Sequence, residues 1–406
     1  MCFLYLVDFA AACRLDYTAS LIAEFESASV CPPSVGGECD LGTDVLEDRP
    51  EEETQMHQTS RPGALTQRVP TLAALGFAPS TANPSLFLRT DTTLRPFFVL
   101  VYVEDLVFAT ADTEALAHVK SELQKRHTCT DPGELTSYLG LRITRDRAQR
   151  TITLTQSHMV QQVLHRFGFT YSSPQSTPLP TGHSLSAPPS EESVEPSGPY
   201  PELVGCLMYL MTCTRPDLAY PLSILARFVA PGRHRPQHWE AAKRVLRYLC
   251  STSGMGLVLG GRGPGFTFSL GSGSVSWRCT RSSSVLSSSC EAQIYAGAMA
   301  AQELCWLTYL LTDLGEPPRS PSVLYVDNKA MIALCQEHIL EHRTKHIALR
   351  YFLARDLQQR GQIRLAYVAT RANTADVFTK VLQPCDHQRF CTVLGLVPTV
   401  PHLLTS

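Results

Sequence analysis

Two neighbouring acids interrupt an apolar run of the sequence and are the first candidates for metal chemistry. Glu104 and Asp105 lie within the segment VYVEDLV. Burying a carboxylate pair in a strand or hairpin is costly unless a cation or hydrogen-bond donors satisfy it. Mg²⁺ prefers a few carboxylate oxygens together with substrate phosphate, so a hairpin tip with two acids is a candidate metal platform. The alternative is a tight turn whose acids point to water.

The spacing of the cysteines argues against two other kinds of site. Fourteen cysteines are scattered from Cys2 to Cys391, and no C-x-x-C pair occurs. A zinc ribbon and a disulfide framework are therefore not expected. We expect buried, reduced thiols in an intracellular protein, since cysteine packs as a small hydrophobe.

The overall charge excludes nucleic-acid binding through bulk charge but allows local basic faces. The 406 residues contain 35 Lys and Arg against 37 Asp and Glu, a formal net charge of −2. Any contact with an anionic partner must therefore come from a local face. The apolar stretches at residues 1–7 and 9–13 are too short to span a membrane, so no membrane partner is expected.

The patterning from residue 86 to residue 170 predicts an α+β unit. The runs LFLRTD and FFVLVYVEDLVFAT are rich in strand-forming residues and predict a buried hairpin. Residues 113–126 have helical spacing, with a cap at Asp112 or Thr113. A second hairpin, YLGLRITRD with TITLTQ, and a helix stopped by Gly168 complete the unit.

The sequence pattern after residue 170 predicts a linker, a helical region and a mixed sheet. Residues 171–201 are rich in Ser, Pro and Thr, which is typical of a linker. Long helical patterns follow over residues 203–249. The elements predicted beyond them are two short strands over 265–278, a helix over 290–314, a strand over 322–327, a helix over 344–360, the strand IRLAYV and a last helix from 373.

Several sequence motifs follow one another in a fixed order along most of the chain. The segment from TLRPFFVLVYVEDL to YLGLRITRD resembles the reverse-transcriptase palm of copia-type LTR retrotransposons. The motifs QSTPLP, CLMYLMTCTRPDLAYPLSILARF and HWEAAKRVLRYL are similar to the segment that joins polymerase to ribonuclease H in their Pol polyproteins. SSCEAQIYA, VLYVDNKAMIAL, HRTKHIALRYFLARD and TADVFTK resemble their ribonuclease H domain. The resemblance covers residues 84–396.

The resemblance implies a polymerase site at the first acid pair. Tyr102 to Asp105 stand where the family carries Tyr-Val-Asp-Asp, its metal-binding hairpin. Glu104 departs from this pattern, and its added methylene moves the carboxylate oxygens by about 1 Å, which matters in two-metal phosphoryl transfer. The family's other palm aspartate has no counterpart in residues 1–83. Polymerase activity is therefore expected to be impaired.

The resemblance also implies a ribonuclease H site in which carboxylates hold two Mg²⁺ ions. Glu291, Asp327 and Asp376 are the three carboxylates that carry over. Each has a plainer explanation, because Glu291 and Asp376 suit helix starts and Asp327 with Asn328 suits a turn. The fourth carboxylate has no counterpart, since the family's first strand has no match before residue 265.

Three further positions depart from the ribonuclease H pattern. Gln293, Ala348 and Phe352 stand where the family has Glu, Asp and His. Together with the missing carboxylate, they predict that cleavage of RNA is impaired as well.

Two locally basic stretches predict contacts to an RNA–DNA hybrid or another duplex. Residues 205–262 hold eight Arg or Lys against two acids, and residues 342–371 hold seven against one. Each phosphate contact would add salt-dependent affinity without sequence specificity. The alternative is a solvated helix face. The candidate contact residues are Arg215, Arg233, Arg235, Lys243, Arg244, Arg247, Arg343, Lys345 and Arg350.

The expected fold class is α+β, with a partial reverse-transcriptase palm and thumb followed by an α/β ribonuclease H-like domain with a mixed sheet. By resemblance, the function is RNA-directed DNA polymerase and RNA–DNA hybrid endonuclease with Mg²⁺ or Mn²⁺, catalytically impaired. The alternatives are a non-catalytic nucleic-acid-binding or interaction protein and an unexpressed transposon relic. An intact Pol protein is a further expected partner, and the location is cytoplasmic, nuclear or both by analogy.

By its patterning and the family resemblance, the chain is expected to divide into six parts. The expected parts are an unmatched, largely disordered region at 1–83, the palm and thumb fragment at 84–170, the linker at 171–201, a helical connector at 202–260, the ribonuclease H-like domain at 261–396 and a tail at 397–406.

Overall fold

The fold is that of a computed structural model, which describes twelve ranges of the chain. They are residues 29–30, 69–89, 96–102, 105–127, 129–182, 198–230, 232–260, 268–269, 273–279, 289–318, 321–336 and 348–399. The described residues divide into two compact units. The N-terminal unit takes its residues from 24–135 and 313–315, and the C-terminal unit takes its residues from 136–312 and 316–406.

The strands and helices are numbered in chain order. The strands are β1 Ser29–Val30, β2 Ala78–Pro79, β3 Leu86–Arg89, β4 Phe97–Tyr102, β5 Asp105–Thr110, β6 Ser137–Tyr138, β7 Leu141–Asp146, β8 Thr151–Thr155, β9 Met255–Gly260, β10 Phe268–Ser269, β11 Ser274–Ser276, β12 Ser322–Val326, β13 Ile363–Tyr367 and β14 Leu396–Pro398. The α-helices are α1 Thr113–Arg126, α2 Ser157–Arg166, α3 Tyr200–Cys213, α4 Ala219–Leu225, α5 Pro236–Ser251, α6 Ser289–Asp313, α7 Lys329–Gln336, α8 Ala348–Gln359 and α9 Pro384–Val393.

The N-terminal unit is built on an antiparallel sheet in the order β1-β5-β4-β3-β2. Strand β4 is apolar throughout and buried over its first five residues, as a strand covered on both faces requires. Helix α1 begins after Asp112, whose carboxylate accepts from Ala115 N at 2.9 Å. Its buried face is Leu116, Val119 and Leu123. The predicted hairpin and the predicted helix, with Asp112 as its cap, are both confirmed.

The same core extends to residues before the expected boundary at residue 84. Residues 69–74 are helical, and Leu72 and Phe77 are buried against the side chains of β3, β4 and β5. This packing corrects the expectation of disorder for residues 69–83. The short apolar run within residues 69–83 has no clear helical or strand periodicity. The strands that it packs against come later in the sequence, so no local pattern predicts that it is ordered.

The C-terminal unit contains a second antiparallel sheet, in the order β14-β9-β8-β7-β6. The predicted β7–β8 hairpin is confirmed. Strand β9 was expected to be part of a helical region, but Met255–Gly260 pairs with β8 on one side and with β14 on the other. The sheet therefore joins parts of the chain that are far apart in sequence.

Helices α2, α3, α4 and α5 pack around one core beside this sheet. Leu207, Leu222 and Leu246 are fully buried there. The predicted end of α2 is confirmed, since Gly168 has a φ of 75° that suits glycine after a helix. The first part of the expected linker also packs here: Leu179 is buried in the cluster, and Gln175 N donates to Arg247 O at 3.3 Å.

The described residues after β9 form two small sheets and four α-helices, together with strand β14 of the second sheet. Strands β10 and β11 pair antiparallel, and β12 and β13 pair parallel. Among the described residues these pairs are separate sheets rather than the expected single mixed sheet. Helices α6, α7 and α8 cover β12 and β13 through a core that includes Ile294, Met331 and Leu357. The mixed helix and strand content agrees with the predicted α+β class, while the palm, thumb and ribonuclease H arrangement stays a prediction.

Candidate functional site

The first predicted metal ligand lies at the tip of the β4–β5 hairpin. Asp105 is the first residue of β5 and pairs with Tyr102, the last residue of β4. Both residues are half-buried. Glu104 lies outside the described residues. Asp105 therefore lies at the end of a well-packed hairpin, and the role of the acid pair as a metal platform stays a prediction.

The second predicted ligand lies at the carboxyl end of β12. Asp327 follows Val326, which is buried in the core beneath the β12–β13 pair. Its Oδ1 accepts a hydrogen bond from Gln293 Nε2 of helix α6 at 2.8 Å. Glu291 is part of the first turn of α6, but its side chain lies outside the described residues. The side chain that faces Asp327 from this helix is thus an amide.

The third predicted ligand, Asp376, lies in a short 3-10 helix over Thr374–Phe378. The last α-helix begins only at Pro384, which corrects the expectation that Asp376 stands near its start. Asn373 caps the 3-10 helix, since its side chain accepts from Ala375 N at 3.2 Å. The Asp376 carboxylate is largely buried and forms an ion pair with Lys380 Nζ at 2.6 Å.

Among the described residues, Asp105, Asp327 and Asp376 are not grouped into a metal centre. Over the parts of the chain that the structure describes, no three His, Cys, Asp or Glu side chains are grouped so that they could hold an ion. The Asp327 carboxylate faces a hydrogen-bond donor, and the Asp376 carboxylate faces an ammonium group. A carboxylate oxygen that accepts such a bond has fewer lone pairs left for a divalent cation. The described residues therefore do not fit a two-metal site.

Arg215, one of the residues expected to contact nucleic acid, is buried. Its Nε and Nη2 donate to the two oxygens of Asp217 at 3.0 and 2.7 Å. Its Nη1 and Nη2 also donate to the carbonyl and hydroxyl oxygens of Thr252 at 3.2 and 2.7 Å. Tyr248 OH donates to Asp217 Oδ2 at 2.7 Å. A guanidinium held in this way has no face left for a phosphate.

The electrostatics of this cluster follow from complete pairing. Burial alone would raise the pKa of Asp217, but the Arg215 charge and the hydrogen bonds from Arg215 and Tyr248 hold it below its usual value. Burial opposes the charge of Arg215 too, yet Asp217 raises the pKa of Arg215 above its usual value. Burial, followed by the Asp217 charge, raises the pKa of Tyr248. The pair is therefore ionised, and it joins the turn at residues 215–217 to α5.

Three other predicted residues form a basic row on α5. Lys243, Arg244 and Arg247 recur at helical spacing and are half-buried. The Arg247 guanidinium lies 5.6 Å from the centre of the Phe169 ring. Burial, followed by the Arg247 charge, lowers the pKa of Arg244. Glu240 forms an ion pair with Lys243, so the row keeps two cations that no carboxylate offsets within it.

The remaining predicted contact residues are spread over three places. Arg233 is exposed in the turn before α5, and Arg235 Nη1 donates to Gly232 O at 2.7 Å. Arg350 is part of α8, with a side chain outside the described residues. Arg343 and Lys345 lie outside the described residues altogether. Their contacts with nucleic acid stay predictions.

Two functional features were missed by sequence reasoning. One is the Arg215–Asp217 pair, which charge counting treated as one free cation and one free acid. Its signal was the closeness of the two residues between long apolar helices. The other is the position of Gln293, which was noted only as a departure from a family pattern. Its signal was the two-residue offset from Glu291, because two residues on a helix point about 200° apart.

No helix among the described residues combines the length and the apolar character that a membrane crossing needs.

The chain was compared with protein families and with known proteins. Residues 57–181 match the family described as reverse transcriptase (RNA-dependent DNA polymerase). The match begins before the boundary expected at residue 84, so residues 57–83 are not unmatched, and it ends within the expected linker. The buried positions of Leu72, Phe77 and Leu179 give this wider extent a structural basis.

Three curated relatives are similar to the chain over most of its length. The retrovirus-related Pol polyprotein from transposon TNT 1-94 of Nicotiana tabacum is 31% identical over 328 residues, which cover 74% of this chain and 24% of that protein. Those from transposons RE2 and RE1 of Arabidopsis thaliana are 31% and 30% identical over 355 residues, covering 81% of this chain and 24% of each protein. The chain thus spans about a quarter of the length of these relatives. No solved structure gives a significant match.

Proposed function

Since the chain belongs to the retrovirus-related Pol polyproteins of copia-type LTR retrotransposons and contains a reverse transcriptase region, we propose that it is a reverse transcriptase and ribonuclease H relative that binds RNA–DNA hybrids. In this proposal its divalent-metal chemistry is impaired. The observation that carries the proposal is the partner of two of the predicted carboxylates: an amide at Asp327 and an ammonium at Asp376.

The polymerase part of the proposal is supported by the β4–β5 hairpin. Its two strands pair without a break up to Tyr102 and Asp105, which flank position 104 in the sequence. A longer carboxylate side chain at position 104 shifts the oxygens that would bind a metal, and a shift of about 1 Å lowers phosphoryl transfer by about 100-fold. Primer extension by this chain is therefore expected to be weak or absent.

The binding part of the proposal is supported by the basic row on α5. Arg244 and Arg247 lie one turn apart, and their guanidinium groups can contact successive phosphates of one strand. Phe169 and Trp239 lie beneath Arg247 and Lys243, which fixes the aliphatic stems of these side chains against the protein. A fixed row of cations reads backbone charge and shape rather than sequence.

The proposal is tested on the full chain with a labelled RNA–DNA hybrid. We expect binding that weakens as salt is raised, together with no hybrid cleavage and no primer extension in Mg²⁺ or Mn²⁺. Replacing Arg244 and Arg247 by Gln should reduce the slope of log affinity against log salt by roughly 2, since each phosphate contact contributes about 0.9. Arg126→Gln removes a charge from the exposed surface of α1 and serves as the matched control.

Two results would contradict the proposal. Cleavage that Asp327→Asn abolishes would show that the metal chemistry works. A folded chain that binds no hybrid at low salt would remove the binding role.

A further inference from the structure

The junction between α6 and β12 holds a polar contact that hybrid binding does not explain. Gln293 Nε2 donates to Asp327 Oδ1 at 2.8 Å, and Gln293 is half-buried. The neighbouring residues Ile294 and Val326 lie in one buried core. Packing on both elements therefore fixes the contact, which is not a chance meeting of two loose surface side chains.

Helix α6 presents position 293 to Asp327. The contact is made by the Gln293 amide, and successive residues of an α-helix are about 100° apart around its axis. Gln293 stands where the resemblance gives the family a Glu. Position 293 is thus a place from which α6 can form a carboxylate pair with Asp327.

The other end of the Gln293 amide is unsatisfied. Its Oε1 is buried and has no hydrogen-bond partner among the described residues. Only Nε2 can face Asp327, because an ionised carboxylate has no hydrogen to donate. The amide therefore satisfies the carboxylate at the expense of a buried acceptor, which is unfavourable. If an oxygen of residue 293 faced an oxygen of Asp327 at this distance, no hydrogen would lie between them. A hard cation that binds both oxygens would satisfy them instead.

We propose that the Gln293 amide occupies the place of a divalent cation at Asp327, and that Gln293→Glu alone creates a Mg²⁺ or Mn²⁺ site there. This inference rests on the proposed function, since it gives the physical cause of the impaired metal chemistry. The natural α6–β12 junction is held by a neutral donor and needs no ion. Glu has the shape of Gln but brings a second carboxylate, whose repulsion from Asp327 a divalent cation relieves.

The experiment compares melting temperatures of the full chain with and without millimolar Mg²⁺ or Mn²⁺, in the absence of nucleic acid. We expect no response of the natural chain to either ion. Gln293→Glu should melt roughly 2–4 °C lower without the ion and should recover when the ion is added, because an ion that binds only the folded state stabilises it. Gln302→Glu, on the exposed side of the same helix, is the matched control and should show neither effect.

A charge swap keeps the test decisive if Gln293→Glu fails to fold. In the double variant Gln293→Glu with Asp327→Asn, the carboxylate and the amide exchange places and the hydrogen bond can form again. We expect this variant to melt near the natural chain and to ignore both ions.

Three outcomes would overturn the inference. They are stabilisation of the natural chain by either ion, lost in Asp327→Asn; a Gln293→Glu variant that folds without responding to an ion; and a charge swap that does not restore stability. Because melting is measured without a hybrid, failure here leaves the binding and cleavage assays to decide the proposed function separately.

Discussion

Arg215 and Arg247 come from the same basic stretch of sequence, and the fold uses them in different ways. The Arg215 side chain is 2% exposed and is bonded to Asp217 and Thr252. Arg247 lies at the edge of α5 against the Phe169 ring, and its charge is not matched by an acid of the row. One guanidinium holds the C-terminal unit together, while the other is proposed to contact a partner. A count of charges along the sequence cannot separate these two roles, because it ignores burial.

The structural role of Arg215, which Arg247 does not share, is tested most strongly by replacing its partner Asp217. Asp217→Asn leaves the Arg215 charge buried without a counter-ion, and removing one partner of a buried pair costs about 3–5 kcal/mol. We expect a loss of this size in the free energy of unfolding, measured by urea denaturation. The double replacement Arg215→Met with Asp217→Leu should lose less, since it removes both charges together. A single variant as stable as the natural chain would contradict the structural role.

Tyr248 tests the same cluster with a smaller change. Tyr248→Phe removes the hydroxyl that donates to Asp217 Oδ2 at 2.7 Å and keeps the ring beside Arg215. Hydrogen bonds to charged groups contribute about 1.5–3 kcal/mol, so we expect a loss in that range by urea denaturation. The affinity for an RNA–DNA hybrid should not change at fixed salt. A change in affinity without a change in stability would place this cluster on the binding surface.

His387 lies close enough to the Arg215–Asp217 pair to feel both charges, and it tests this cluster through the pH dependence of the unfolding free energy. Burial, with the Arg215 charge acting in the same direction and Asp217 opposing it, lowers the pKa of His387 below its usual value of 6.5. The unfolded chain therefore takes up this proton at a higher pH than the folded chain does. The stability it confers is present above about pH 6.5 and is lost as the pH falls from there through the folded pKa. We expect a decline in unfolding free energy over that window, smaller than the effect of Tyr248→Phe.

The control for this pH effect is His387→Gln, which has no proton to take up. Its stability should be flat over the same window, down to the more acidic range in which Asp217 is protonated. A decline that persists unchanged in His387→Gln would assign the effect to another group.

Arg247 should show the smallest effect on stability. Arg247→Gln removes a charge at the edge of a helix, and such surface changes are usually within about 0.5 kcal/mol. Its effect should appear in hybrid binding, where the salt slope falls by about 1. Binding measured across a salt series, beside urea denaturation of the same sample, checks both parts. A large loss of stability with an unchanged salt slope of hybrid affinity would show that Arg247 has a structural role like that of Arg215.

The elements that sequence patterning predicted are those formed by local interactions. The face of α1, its cap at Asp112 and the stop at Gly168 depend on residues within a few positions of each other. Strand β9 was missed because its partners, β8 and β14, lie far away in the sequence. A strand that contains Gly256 and Gly260 gives little local signal of its own.

For the candidate site, the sequence predicted which residues matter better than it predicted which of them are in contact. Asp327 was identified, and its position at the end of β12 agrees with that prediction. The resemblance implied Glu291 as the ligand from α6 and gave Gln293 only as a departure from the family pattern. The contact between Gln293 and Asp327 was not predicted, because sequence motifs align residue types and do not show which side chains meet. The partner of Asp376, Lys380, was not predicted, although a lysine four positions after an acid in a segment expected to be an α-helix has the spacing of an ion pair.

Strand β14 has a consequence for how the protein is made. It pairs Leu396 with Leu257 and Pro398 with Met255, and so covers the second edge of β9. During synthesis β9 leaves the ribosome long before its partner exists, with a row of N–H and C=O groups ready to pair with another chain. Nascent copies on neighbouring ribosomes are therefore exposed to edge-to-edge association throughout that interval. The yield of folded protein then depends on how quickly the segment between β9 and β14 is translated, as well as on the stability of the finished fold.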